Sequence, residues 1–102
     1  MKVITQAQHF SADRKLATYL ELKLSKLEHF FDRIVAAEVF LKLENSGQVK
    51  EKVAEINLKI PGTKLVAKRV GKTFEKAIDQ TVLSLKRQLI RHKEKSKIRT
   101  VA

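Results

Sequence analysis

The sequence predicts an α+β domain with the element order β-α-β-β-β-α, in which a four-stranded, mainly antiparallel sheet carries both helices on one face. Three observations lead to this prediction. Residues 36–44 and 53–60 alternate strictly between apolar and polar side chains, as half-buried strands do. Two longer stretches, before and after these strands, repeat apolar residues with a helical period. With 102 residues, the chain is long enough for one domain with an ordinary hydrophobic core.

The first two elements are a short strand and an amphipathic helix. Residues 2–8, KVITQAQ, are mostly β-branched or polar, which predicts a strand. Phe10 is expected to begin the core. Asp13 stands directly before the first periodic apolar residues and is the preferred N-cap of a helix running to about Phe31, although Ser11 is also a good cap residue. The stripe expected to face the core is Leu16, Leu20, Leu24, Leu27 and Phe31.

The polar residues of this helix are sorted by charge on the two sides of the apolar stripe. One shoulder is basic, and the other is acidic. The basic shoulder comprises Lys15, Lys23, Lys26 and Arg33, and the acidic one comprises Glu21 and Glu28.

Three strands follow in the middle of the chain. The Asn45-Ser46-Gly47 sequence predicts the turn between the first two, and Pro61-Gly62 predicts a type II turn before the third, at 64–70. Gly71 is expected to free the backbone where the chain enters the final helix. The residues predicted to point inward are Val39, Leu41 and Leu43 on one strand and Ala54, Ile56, Leu58 and Ile60 on the next.

The final helix begins near residue 72 and combines an apolar stripe with a column of cations. The stripe expected to pack on the sheet is Phe74, Ala77, Ile78, Thr81, Val82, Leu85 and Leu89. The neighbouring column is Gln80, Ser84, Arg87, Arg91 and Lys95, and Lys86 and Lys93 lie on the other flank. Residues 85–99 hold seven cations and one acid, more than the helix dipole explains.

The overall charge points to a polyanionic partner. The net charge is +11 and the sequence pI about 10.1, values typical of a nucleic-acid binder. Two helices on one face would surround a shared positive groove if their basic sides face each other, which the sequence does not decide. No signal peptide or membrane-spanning run is present, so a cytoplasmic protein without a membrane partner is the default expectation.

The sequence argues against an enzyme. There is no cysteine, and the three histidines, His9, His29 and His92, lack metal-ligand spacing. The glycines stand singly at turns, so no Gly-rich phosphate loop exists, and Glu21 and Glu28 lie two turns apart on a solvated shoulder. We therefore predict no catalytic residue, no metal site and no cofactor.

Five segments in register carry a resemblance to a known family. They are KLSKLEHFFDRI at 23–34, VFLKLE at 39–44, AEINLKIPGTKLVA at 54–67, FEKAID at 74–79 and LKRQLIRHKEK at 85–95. On these segments, which span nearly the whole chain, the sequence resembles the short form of the ribosome hibernation promoting factor and ribosome-associated inhibitor family, also described as sigma-factor modulation proteins.

The resemblance implies a single ribosome-binding domain, 1–102, similar to a double-stranded-RNA-binding domain, and no C-terminal dimerisation domain. It implies binding to the small ribosomal subunit through rRNA in the channel for mRNA and tRNA, and inhibition of translation in stationary phase or starvation. Inactive ribosome dimers would then need a second factor, and the free protein is expected to be a monomer. The rRNA-binding positions carried over are Lys23, Lys26, Arg87, Arg91, Lys93 and Lys95.

Two positions depart from the family pattern. Ser84 stands where a lysine is usual, so one phosphate contact is either missing or supplied by Lys86. Lys72-Thr73-Phe74 replaces the usual acidic-Met-Tyr start of the last helix, which leaves the role of that segment open.

Other binding functions remain alternatives. The chain could be a general double-stranded-RNA-binding or ribosomal structural protein, or a basic helix could lie on anionic lipid. Lipid is disfavoured because the sheet needs the apolar stripe of the last helix, which has no Trp. Modulation of a sigma factor is disfavoured because the sequence offers no distinct apolar docking patch.

Overall fold

The computed structural model describes residues 1–8, 12–47 and 49–101, with the side chains of 46, 49 and 96–101 left out. The predicted order β-α-β-β-β-α is confirmed. The elements are β1 (Lys2–Gln8), α1 (Arg14–Phe30), β2 (Ala36–Ser46), β3 (Val49–Ile60), β4 (Thr63–Gly71) and α2 (Phe74–Val101). The expected core residue Phe10, the alternative cap Ser11 and His9 lie outside the described residues.

The four strands form one sheet in the order β1-β2-β3-β4. β1 runs parallel to β2, and the two following pairs are antiparallel, so the sheet is mainly antiparallel as predicted. The first hairpin turn lies later than predicted: Asn45 and Ser46 continue β2 and pair with Lys50 and Val49. The ladder extends because each added pair satisfies backbone groups, and Gly47, which follows β2, takes a positive φ of 66°.

Both helices bury their apolar stripes in one core on the inward face of the sheet. All predicted stripe residues of α1 are buried, and so are Ala77, Ile78, Leu85 and Leu89 of α2. Inward residues of β2 and β3 complete the core, except that Leu43 is only half buried. Leu43 lies in the half of the hairpin nearer the turn, beyond the residues that join the core cluster.

Side-chain caps begin both helices. The Asp13 carboxylate accepts a hydrogen bond of 2.8 Å from the Leu16 N–H, which confirms Asp13 as the N-cap of α1. The Thr73 hydroxyl accepts one of 3.1 Å from the Lys76 N–H at the start of α2. The departure from the family pattern at 72–74 therefore has a structural role, because Thr73 caps the helix.

Gly71 is required for a different reason from the one predicted. Its φ is not positive. A Cβ atom at this position would lie 3.0 Å from the Ala77 nitrogen and 3.1 Å from the Thr73 carbonyl oxygen. Glycine therefore permits the close approach of β4 to the first turn of α2.

Candidate nucleic-acid interface

A groove with a volume of about 220 Å³ runs between α1 and α2. Its floor is apolar, and its rim carries three lysines and one acid. The lining residues are Lys23, Lys26, Leu27 and Phe30 of α1 and Asp79, Val82, Leu83 and Lys86 of α2. The groove is therefore a positive depression with an apolar base.

Asp79 links the two helices at one end of this groove. Its Oδ1 accepts a 2.5 Å hydrogen bond from the Tyr19 hydroxyl and lies 3.2 Å from the Lys23 ammonium. The Lys23 ammonium is also 5.4 Å from the centre of the Tyr19 ring. Lys23, a predicted rRNA-binding residue, is thus paired within the protein.

This cluster shifts the pKa values of all three groups. Burial alone would raise the pKa of the Asp79 carboxyl, but hydrogen bonds from Tyr19 and Lys23, with the positive charges of Lys23 and Lys26, lower it below its ordinary value. Hydrogen bonding to Asp79 raises the pKa of the Tyr19 phenol and of the Lys23 ammonium. Asp79 is therefore a charged, acceptor-only group at neutral pH.

Lys93 is also used inside the protein. Its ammonium donates a 2.9 Å hydrogen bond to the Phe30 carbonyl oxygen at the end of α1. It lies 4.4 Å from the centre of the Phe30 ring and 5.8 Å from that of Phe31. The last carbonyls of a helix lack partners in the helix, so Lys93 supplies one from α2.

A second basic surface lies on the opposite side of α2, above β4. The Arg69 guanidinium of β4 donates a 3.3 Å hydrogen bond to the Ser84 hydroxyl, and the Gln88 amide donates one of 3.1 Å to the Val66 carbonyl oxygen. The helical repeat places three further cations in the same column as Ser84 and Gln88, all of them exposed. We call this surface the outer ridge; it consists of Arg69, Arg87, Arg91 and Lys95.

The two basic sides predicted for the helices do not face each other. Lys23 and Lys26 face the groove, but α2 contributes Lys86 there, and the column with Arg87 and Arg91 forms the outer ridge. Lys86, the alternative predicted source of the phosphate contact expected at position 84, lines the groove. Arg69 is the cation beside Ser84 instead.

Three residues of these surfaces were not predicted from the sequence pattern. Arg69 pairs with the buried Ala54, so its position in the strand is that of an inward-facing residue. Its side chain is nevertheless exposed, because β4 is the edge strand of the sheet. Tyr19 and Asp79 are 60 positions apart, so no local motif joins them.

In the part of the chain that the structure describes, no group of three or more histidine and acidic side chains is placed to hold a metal ion. No helix among the described residues is long and apolar enough to cross a membrane.

The fold and the two cationic surfaces define a small basic binding protein. Residues 3–97 match the family model described as Sigma 54 modulation protein / S30EA ribosomal protein, and the chain belongs to that family. Its members are non-catalytic ribosomal binding factors, and the predictions that the chain is a family member and not an enzyme are thereby confirmed.

Three curated proteins that are similar to this chain are all named ribosome hibernation promoting factor. The ribosome hibernation promoting factor of Pseudomonas putida is 37% identical over 95 residues, covering 93% of this chain and 89% of the relative. That of Azotobacter vinelandii is 36% identical, with coverages of 93% and 85%. That of Klebsiella oxytoca is 39% identical over 79 residues, covering 78% of this chain and 79% of the relative.

Solved structures show the same fold. A ribosomal subunit interface protein from Coxiella burnetii superposes with a TM-score of 0.83 at 21% identity, covering 92% of this chain and 99% of the other. The N-terminal domain of Protein Y from Thermus thermophilus gives a TM-score of 0.78 at 26% identity, with coverages of 90% and 99%.

Proposed function

We propose that this protein is a ribosome hibernation factor, a single cytoplasmic domain that binds the small ribosomal subunit through rRNA in the mRNA and tRNA channel. Occupancy of that channel inhibits translation in stationary phase or starvation. Three relatives that cover most of the chain are named ribosome hibernation promoting factors, which supports this role.

The observation that carries the proposal is the outer ridge. Arg87, Arg91 and Lys95 are exposed and make no contact with a described acid, so their charge is available to a polyanion. Arginine can fork onto a phosphate or stack on a base, whereas lysine acts as a point charge. Neutralising phosphates releases condensed counterions, so six to ten contacts would reduce affinity by ~10³ to 10⁵ between 50 and 200 mM salt.

The test is sedimentation of purified ribosomes with the protein through sucrose gradients at low and moderate salt. We expect salt-sensitive co-migration with the small subunit and the whole ribosome, and the same gradients show whether ribosome dimers form without a second factor. Protein that stays at the top at both salts would refute ribosome binding.

A pair of matched variants locates the binding surface. We expect Arg87→Ala with Arg91→Ala to abolish co-migration and inhibition of cell-free translation while the fold is retained. Lys64→Ala with Lys68→Ala removes the same charge from exposed positions of β4 that alternate with its inward-facing residues, and should leave both activities nearly intact. Equal losses in the two double variants would show that only net charge matters.

A general double-stranded-RNA-binding or ribosomal structural protein is the alternative. A structural protein would accompany ribosomes from growing and starved cells alike. A hibernation factor should accompany them in starved cells.

A further inference from the structure

The groove between the helices contains an acid that a pure phosphate site would not need. Asp79 lies among Lys23, Lys26 and Lys86, and its negative charge repels a phosphate backbone. Its described contacts, to Tyr19 and Lys23, both involve Oδ1. The second carboxylate oxygen, Oδ2, has no described hydrogen bond, so it can accept one from a ligand.

The remaining surfaces of the groove suit a flat ring. Leu27 is buried at the base, and the half-buried Phe30 and Val82 line the groove. The Lys86 ammonium lies 5.3 Å from the centre of the Phe30 ring, so a base on this floor would also contact a cation. A volume of about 220 Å³ is below that of sites for drug-sized ligands and has room for one ring system. Unpaired RNA bases are bound in this way, by stacking on side chains and by hydrogen bonds along their edges.

We propose that this groove binds one unpaired nucleotide of RNA, with the base on the apolar floor, its edge N–H groups donating to Asp79, and its phosphates near Lys26 and Lys86. The inference rests on the proposed function, since it assigns a base-reading role to part of an rRNA-binding surface. The outer ridge contributes affinity without sequence preference, and the groove adds the preference.

The chemistry of Asp79 determines which base is preferred. A charged carboxylate only accepts hydrogen bonds, and the lowered pKa of Asp79 keeps it charged at neutral pH. Guanine presents two adjacent N–H donors on one edge. Uracil presents one N–H between two carbonyl oxygens, which the carboxylate repels. We therefore expect guanine to be favoured over uracil by about fivefold or more.

The experiment measures binding of short fluorescent oligouridylates that contain one central G, C or A, or none, at one fixed low salt concentration. For the wild type, the G-containing oligonucleotide should bind at least about fivefold more tightly than the all-U one. Asp79→Asn keeps a carbonyl acceptor for Tyr19 and places an N–H₂ donor in the groove, so the preference for G over U should disappear.

Two controls separate base reading from other roles of these residues. Tyr19→Phe removes a link between the helices but leaves the carboxylate, so the preference should remain. Arg87→Ala on the outer ridge should weaken binding to all four oligonucleotides by the same factor. Equal wild-type affinities for G and U would overturn the proposal, as would an equal gain for all four on Asp79→Asn.

Ribosome co-sedimentation of the wild type, run in parallel, distinguishes the two possible failures. If the protein binds ribosomes without any base preference, only the groove assignment is wrong. If it does not bind ribosomes, the proposed function fails.

Discussion

Lys93→Ala should destabilise the protein, because Lys93 joins the end of α1 to α2. The variant loses the 2.9 Å hydrogen bond to the Phe30 carbonyl oxygen and the position of the ammonium 4.4 Å from the Phe30 ring centre. A hydrogen bond contributes about 0.5 to 1.5 kcal/mol and an exposed cation–π contact about 0.5 to 1 kcal/mol. Since contacts made by one group are not additive, we expect a loss of roughly 1 to 2 kcal/mol.

Chemical denaturation at neutral pH measures this loss. The expected change also corresponds to a fall in Tm of at least about 4 °C for a domain of this size. Lys95→Ala is the matched control, because Lys95 is exposed on the same helix and makes no described contact. Its free energy of unfolding should change by less than about 0.5 kcal/mol. Equal stabilities of the two variants would show that the Lys93 contacts contribute nothing, and the link between the helix ends would be wrong.

Two further predictions concern pH and packing. Because Asp79 has a lowered pKa in the folded protein, its contribution to stability is present above the ordinary carboxyl pKa of about 3.9 and is lost as the pH falls through the folded value. The pKa values of Tyr19 and Lys23 are raised in the folded protein. These two groups therefore contribute their full stabilisation below their ordinary pKa values of about 10, and this stabilisation is lost as the pH rises through the pKa values of the folded protein. The stability difference between the wild type and Asp79→Asn, from urea unfolding, should therefore be largest between about pH 5 and 9, and a difference independent of pH would contradict this. Gly71→Ala should lose about 1 to 3 kcal/mol in the same assay, because the new Cβ would lie 3.0 Å from the Ala77 nitrogen, whereas unchanged stability would show that the backbone yields easily.

The fold was predictable because its periodic patterns coincide with burial. The alternation of 53–60 and the helical stripe from Leu16 to Phe31 each identify a face that the structure buries. The hairpin turn was placed too early because Asn45 and Ser46 are common turn residues, and a strand ladder extends through them. Pairing between strands is a tertiary effect that local residue preferences do not contain.

The arrangement of the cations was less predictable. Helical geometry places Arg87, Arg91 and Lys95 in one column, and that column is exposed in the structure. Whether a given column of cations on α2 faces the groove or the solvent depends on how α2 is rotated about its axis relative to α1. No local sequence pattern specifies that rotation. Lys93 illustrates the difference: its assignment to rRNA comes from the family resemblance and stays a prediction, whereas its acceptor inside the protein could not be read from the sequence.

The internal partners also explain how one helix tolerates so many cations. Like charges three or four residues apart on a helix repel each other by a few tenths of a kcal/mol per pair. Lys93 offsets part of this cost by binding a helix-terminal carbonyl, and in α1 Lys23 does so by pairing with Asp79. Arg87 and Arg91 have no such described partner, and they lie on the side of α2 away from the groove. Affinity that depends on salt should therefore be associated with the outer ridge, whereas selectivity for bases should be associated with the groove, because the groove, unlike the outer ridge, combines a carboxylate acceptor with an apolar floor.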